Sequence, residues 1–280
     1  MRRIHINEIT KVVAEMCKDA NYNLGEDMTV ALEESKLHEK SAVGRDILTQ
    51  ILENAEIARE EKMPMCQDTG VAVFFVELGY ECQIVGGDIY EAIDEGVRQG
   101  YKDGYLRFSM VADPLNRVNT GDNTPSVTYV EMIPGNTVKI KYSAKGGGSE
   151  NMSRLQMLKP SEGLVGIKDF ILDTVRLAGP NACPPMIVGV GIGGSFDRSA
   201  YIAKKSLFRD VGIRNADKRI AELEEELLKE CNKLGVGPQG MGGTTTALDV
   251  KIEVYPCHIA ALPVAVNIQC HANRHKVAVL

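Results

Sequence analysis

The feature that most constrains this chain is a change of hydrophobic period. Over roughly the first hundred residues apolar side chains recur at helical spacing, and beyond them short runs alternate or become wholly apolar. A chain with both periods must bury helix faces against sheets, which excludes a pure bundle and a pure sandwich. Helical and strand segments also follow one another without a regular βαβ rhythm. The expectation is therefore an α+β fold, helix-rich in its N-terminal part, with mixed β-sheet segments in the middle and C-terminal part.

The N-terminal helices read as follows. Asn7 is placed to cap a helix whose Ile9, Val12, Val13, Met16 and Cys17 share one face, and Asp27 a second helix to about Lys40. Val43, Ile47, Leu48, Ile51, Leu52 and Ala55 form the expected buried stripe of a third. Val71 to Leu78 is a short apolar run, and residues 88–101 return to helical spacing. Ser126 to Ile133 and Thr137 to Tyr142 alternate, with Pro134-Gly135-Asn136 as turn chemistry between them, predicting a hairpin. Helices are expected at 162–177 and 198–208, and a charged one at 216–234 capped by Asn215, with the acidic run Glu224 to Glu226 on a solvated face. Met186 to Val190, Val250 to Tyr255, Leu262 to Ile268 and Val277 to Leu280 read as strands. The whole chain, 1–280, is taken as one domain, with a weakly signalled internal boundary near 110–125.

Composition narrows the function. With 32 basic and 38 acidic residues the net charge is −6, and there are only six Phe and no Trp. An acidic, aromatic-poor surface suits neither a phosphate backbone nor a base-stacking platform, so no nucleic-acid partner is expected. No run approaches the ~18 apolar residues of a membrane span, and no apolar stretch follows the N-terminal arginines as a secretory signal requires. A cytoplasmic protein is expected. Seven cysteines without a C-x-x-C pair make neither a secreted disulfide framework nor a zinc ribbon.

Several segments carry candidate chemistry. Gly189 to Gly194 fits G-x-G-x-x-G between a strand and a helix, but no second strand ending in a ribose-binding acid follows, so the glycines read better as a close strand–helix contact than as a nicotinamide site. Lys145-Gly146-Gly147-Gly148-Ser149 exposes backbone N–H groups that suit an anion, or forms a structural turn; the P-loop spacing is absent. Gly235 to Thr246 has the same ambiguity. Cys66, Cys183 and Cys270 each lie in or beside a loop, whereas Cys17, Cys82 and Cys231 sit in ordinary element contexts. Three loop thiolates suit an iron–sulfur cluster with one iron left for substrate, although their spacing forms no local signature. Asp68 and His258 are proton-transfer types and Arg107 a carboxylate fork. Taken singly, Asp68 reads better as a turn residue, Arg107 as a surface ion and His258 as a satisfied core histidine. His271, Arg274 and His275 read as a solvated end.

At MCQDTG, KGGGSEN, ACPP followed by VGIGG, GPQGMGGTTTAL and PCHIAALPVAVNIQCHANRH the sequence resembles the α-type subunit of class I, iron–sulfur-dependent fumarate hydratases and L-tartrate dehydratases, in the right order over nearly the whole chain. The resemblance implies a 4Fe-4S cluster held by Cys66, Cys183 and Cys270, with one iron not ligated by cysteine. It also implies a pocket lined by Gln67, Asp68, Arg107, the Gly146–Gly148 loop and His258, with Asp68 or His258 moving a proton and Arg107 and the glycine amides holding carboxylate oxygens of a small dicarboxylate. The implied activity is a hydro-lyase reaction, foremost fumarate to (S)-malate as in the tricarboxylic acid cycle, with L(+)-tartrate dehydration as the alternative. The chain ends ten residues after Cys270, so a separate β subunit is expected to complete a hetero-oligomer and to carry the base for the C3 proton. A nicotinamide-dependent oxidoreductase and a non-catalytic metal-binding subunit are the readings from other classes.

Overall fold

A computed structural model describes all 280 residues. In chain order the elements begin with β1 (Arg2–His5), α1 (Ile6–Tyr22), α2 (Glu26–His38), α3 (Ala42–Glu61), β2 (Val71–Gly79), β3 (Cys82–Val85) and α4 (Ile89–Asp103). There follow β4 (Val127–Ile133), β5 (Val138–Lys145), the single turn α5 (Gly147–Glu150), β6 (Arg154–Leu158), α6 (Gly163–Ala178) and β7 (Met186–Gly193). Last come α7 (Phe196–Ser206), α8 (Lys218–Lys233), β8 (Ala247–Tyr255), β9 (Leu262–Gln269) and β10 (His275–Val279). The fold is α+β with mixed sheets. No helix is long and apolar enough to cross a membrane.

The chain forms two compact units, one of Met1–Gly25, Asn54–Gly147 and Arg274–Leu280, the other of Glu26–Glu53 and Gly148–Asn273. Residues 110–125, the expected boundary, lie inside the first unit.

In the first unit a four-stranded sheet runs β10-β5-β2-β4. Its core joins Ile9, Val13 and Cys17 of α1, Ile93, Val97 and Tyr101 of α4, Phe74 and Val76 of β2, and Ile140 and Tyr142 of β5. The period-2 spacing of the strand residues and the helical spacing of the others bring them to one layer. β1 pairs in parallel with β3 and leads straight into α1. The extended residue at that junction is His5, whose Nδ1 accepts the Asn7 N–H (3.2 Å) while Glu8 accepts the His5 N–H (3.1 Å). The capping box is thus built on His5, not on Asn7.

The predicted hairpin is corrected. Both strands exist, but β2 lies between them, parallel to β4 and antiparallel to β5. The Pro134 turn straddles the end of β2, where Gly79 N–H bonds Thr137 O and Tyr80 N–H bonds Ile133 O. β2 is buried along most of its length, and a central place with two partners satisfies both its edges.

The second unit holds the sheet β6-β9-β7-β8. All of β7 is buried. Val188, Val190, Val250, Ile252, Val264 and Val266 meet α6 and α8 on one face, each such side chain contributing about 1.5–3 kcal/mol. α7 covers the other face. A Cβ on Gly191 would lie 2.1 Å from Ser199 O, and one on Gly189 2.4 Å from Ala203 O. The G-x-G-x-x-G glycines therefore serve strand–helix approach, as the sequence suggested.

Three further expectations change. α8 is capped by Asp217, which accepts the Arg219 N–H, while Asn215 accepts the Asp217 N–H. Glu224 is not solvated: it is inaccessible, pairs with Arg209 (2.6 Å) and accepts the amides of Asn215 (2.9 Å) and Ile252 (2.7 Å). Along α3, Leu48 is fully buried, but Val43 is 52% exposed and Ile47, Ile51, Leu52 and Ala55 only half-buried.

Candidate functional site

In the first unit the segment Cys66-Gln67-Asp68-Thr69-Gly70 links α3 to β2. Gly70 has φ +75 and comes so close to β5 that a Cβ would lie 2.8 Å from Lys145 backbone atoms. Only glycine fits there, so the cysteine loop abuts the glycine loop. Asp68 joins them: Oδ1 accepts the Gly70 N–H (3.0 Å) and Oδ2 the Gly147 N–H (2.8 Å). The Gly147 amide, expected to hold a substrate carboxylate, holds the protein's own carboxylate in this structure.

Beneath the loop, Tyr101 donates to Thr69 O (2.8 Å), and Thr69 Oγ1 donates to Arg107 O (2.9 Å). Burial raises the Tyr101 phenol well above its ordinary value, which keeps it a donor. Arg107 and Gln67 are exposed; the main chain of Arg107 is tied down and its guanidinium faces outward. Gly146 is buried and Gly147 and Gly148 are exposed.

Arg274, which the sequence reading set aside, is tied to the cysteine loop. It is 2% exposed, not a solvated end, and its Nη1 donates to Asp68 O (2.7 Å) and Asn21 Oδ1 (3.0 Å). It thereby fixes the backbone that carries Asp68. Its only sequence signal was its place four residues after Cys270.

In the second unit Cys183 precedes β7 and Cys270 follows β9. Those strands are antiparallel, with Ile187 opposite Gln269, so both cysteines lie at one end of the sheet. The His271 N–H donates to Cys183 O (3.2 Å), and its Nδ1 lies 3.0 Å from the same oxygen. His271, also set aside, is half-buried and clamps the Cys183 loop. His258 is elsewhere. It sits in the exposed β8–β9 connection, its Nδ1 accepting the Ala260 N–H. The eight residues of β9 separate it from Cys270 by roughly 25 Å at about 3.3 Å per residue.

The second glycine-rich segment is neither flexible nor an open anion cradle. Glu39, 2% exposed, fills it, accepting the N–H groups of Thr244 (2.9 Å), Thr245 (2.8 Å) and Ser41 (2.9 Å) and the Thr244 hydroxyl. Burial alone would raise this carboxyl, but the bonds from Ser41, Thr244 and Thr245 outweigh it and bring the pKa from an ordinary 4.5 to about 2. A depressed carboxyl stabilises the fold above its unfolded pKa, and that stability is lost as pH falls through the folded one. Glu39→Gln is therefore expected to cost about 3 kcal/mol near pH 6 and nearly nothing near pH 2, measured as the difference in urea stability between variant and wild type.

No cysteine is in a disulfide. Cys17 and Cys231 are inaccessible, and burial pushes both thiols up to about 12. Cys183 is exposed and Cys66 and Cys270 partly so. The Cys66 sulfur makes one weak contact, to Gln67 Oε1 (3.4 Å), and that of Cys270 one to Ala272 O (3.7 Å). Loop thiols that are exposed or partly exposed and in no disulfide are a donor set that fits an iron–sulfur group. Alkylation of the cluster-free chain at neutral pH is expected to modify Cys183 and the exposed Cys257 first and to leave Cys17 and Cys231 unmodified, as read by peptide mass spectrometry.

These features belong to a known family. Residues 10–279 match the family described as fumarate hydratase (Fumerase), and the chain is a member of it, a lyase of the hydro-lyase type. A Methanocaldococcus jannaschii protein provisionally named L(+)-tartrate dehydratase subunit alpha is 44% identical over 279 residues, covering 96% of each chain. An Escherichia coli protein named L(+)-tartrate dehydratase subunit alpha is 33% identical over 273 residues, 96% of this chain and 89% of its own length. A Shigella boydii protein of the same name is 33% identical over 274 residues.

Proposed function

We propose that this chain is the α-type subunit of an L(+)-tartrate dehydratase that works with a separate β subunit. The observation that carries the reading is the 44% identity, over 96% of both chains, to a relative named as that subunit. It reverses the order suggested by the sequence motifs, which put fumarate first.

The cofactor in this reading is a 4Fe-4S cluster on Cys66, Cys183 and Cys270. When bound, its iron without a cysteine ligand supplies a Lewis acid for a hydroxyl and a carboxylate of the substrate. The chain's own residues do the rest. The outward guanidinium of Arg107 takes a substrate carboxylate in a bidentate pair and fixes its orientation. Asp68, held at both oxygens by the Gly70 and Gly147 amides and at its carbonyl by Arg274, is the in-chain group to take or give a proton at the hydroxyl. Gln67, beside Cys66, adds an amide for a second polar group. The Gly146–Gly148 loop acts first through Asp68. A substrate carboxylate that takes the Gly147 N–H must displace it, which frees the Asp68 oxygen at the moment of binding. His258, at the far end of the sheet, reaches a cysteine-held group only from another chain.

Loss of water from tartrate gives the enol of oxaloacetate, so the test has a direct product readout. The chain is purified without oxygen together with its β subunit. About four iron and four sulfide per α chain are expected, with kcat/KM for L(+)-tartrate above that for malate by at least tenfold or so, as a site built to bind the extra hydroxyl requires. Equal or faster turnover of malate and fumarate would move the assignment to fumarate hydratase. Absence of iron after reconstitution would remove the mechanism.

A further inference from the structure

The Gly235–Thr246 segment has no part in the reaction described so far, yet it is tightly specified. Gln239 sits in the left-handed region (φ 51, ψ 20), where a residue with a Cβ is uncommon and strained by about 1–3 kcal/mol. Its contacts account for the strain. The Gln239 backbone N–H and its Nε2 both donate to Pro184 O, at 2.8 and 2.9 Å. Nε2 also lies 3.1 Å from His271 Nδ1. That ring nitrogen bonds Cys183 O when it carries the proton and accepts from Gln239 when it does not. Gly240 lies against Pro180, where a Cβ would come within 2.4 Å. The segment thus grips the Cys183 loop on both sides of the cysteine.

The other end of the segment is anchored by Glu39. A Cβ on Gly243 would meet its carboxylate at 2.8 Å, so the loop closes tightly around the acid. Cys183 itself is left-handed (φ 51) and exposed, a conformation that its neighbours must over-determine if it is to persist.

We infer that Gln239 and Glu39 are positioning residues for Cys183: Glu39 clamps Gly243 to Thr245, the clamped loop holds Gln239 left-handed, and Gln239 with His271 fixes the Pro184 and Cys183 carbonyls so that the thiol projects in one direction. The inference rests on the proposed role of Cys183 as a cluster ligand. Outer contacts of this kind orient a metal ligand and set how firmly the metal is held. An apolar side chain at 239 would fill the same space but would leave Pro184 O with one donor and His271 with no amide beside it.

The test compares wild type, Gln239→Leu and Glu39→Gln as full chains. Three quantities are measured: cluster loss to a chelator, followed by visible absorbance; the electron paramagnetic resonance spectrum of the reduced cluster; and the alkylation of Cys183 relative to Cys257 in the cluster-free chain. For Gln239→Leu the expected result is cluster loss faster by about tenfold or more, an altered spectrum and a changed Cys183 to Cys257 ratio, at nearly unchanged melting temperature. Glu39→Gln should move the same three quantities in the same direction; if it does not fold, Gln239→Leu decides alone. A wild type that loads normally, with all three quantities unchanged in Gln239→Leu, overturns the inference and leaves the function intact. A wild type that takes up no iron or sulfide overturns the functional reading and the inference together.

Discussion

Asp68→Asn in the assembled enzyme is expected to lower kcat by about 10²–10⁴-fold, the contribution of a positioned proton-transfer group, with a smaller change in KM. The substitution keeps an oxygen for the Gly70 amide, gives up the bond from the Gly147 N–H and removes the acid–base function. His258→Asn is the informative comparison in the same preparation. A loss as large as that of Asp68→Asn would mean that another chain delivers the imidazole, since this chain holds it at the opposite end of the sheet from Cys183 and Cys270. A kcat for Asp68→Asn within about threefold of wild type, when general acid–base groups contribute a hundredfold or more, would exclude Asp68 from proton transfer.

The largest stability effect is expected at Glu224. Its carboxylate, fully out of solvent, satisfies Arg209 and two main-chain amides at once. Glu224→Ala leaves two N–H groups without partners and a half-buried guanidinium with only Glu253 at 3.6 Å and the Ile252 carbonyl at 3.4 Å, a loss of about 3–5 kcal/mol. Glu225→Ala, one position along the same helix and exposed, should change stability by no more than about 0.5 kcal/mol. Urea unfolding of the two variants measures the difference directly, and equal midpoints would show that the buried network contributes nothing net. A second buried charge pair lies on β8, where inaccessible Lys251 and Asp249 pair at 2.7 Å and Arg214 bonds Asp249.

Elements were legible where a single period dominated. α1, α4, α6 and β7 announce themselves in spacing, and the glycines of β7 were read correctly because a strand and a helix on either side left few uses for them. Pairing was not legible. β4 and β5 satisfy every local rule for a hairpin, and what separates them is the stronger demand of β2 for a partner on both edges, a fact about distant sequence. Burial of charge was equally hidden: Glu224 and Glu225 are alike as letters and differ only by which side of α8 they occupy. In the candidate site, Cys66, Cys183 and Cys270 stood out because they lie in loops. Arg274 and His271 did not, because a basic residue near a strand end usually meets solvent. Gln239 and Glu39 carried no signal at all, since their roles depend on backbone carbonyls and amides that no side-chain pattern encodes.

The late position of β10 constrains how the molecule is made. β5 spans Val138–Lys145, and its edge partner begins only at His275, with His275 opposite Ser143. During synthesis the first unit must wait, one sheet edge open, while the intervening residues emerge from the ribosome. Arg274, which steadies the backbone at Asp68, emerges in the same late stretch. Nascent chains therefore carry an unbraced backbone at Asp68 and a strand edge free to pair with a neighbour, a state open to aggregation until synthesis is complete.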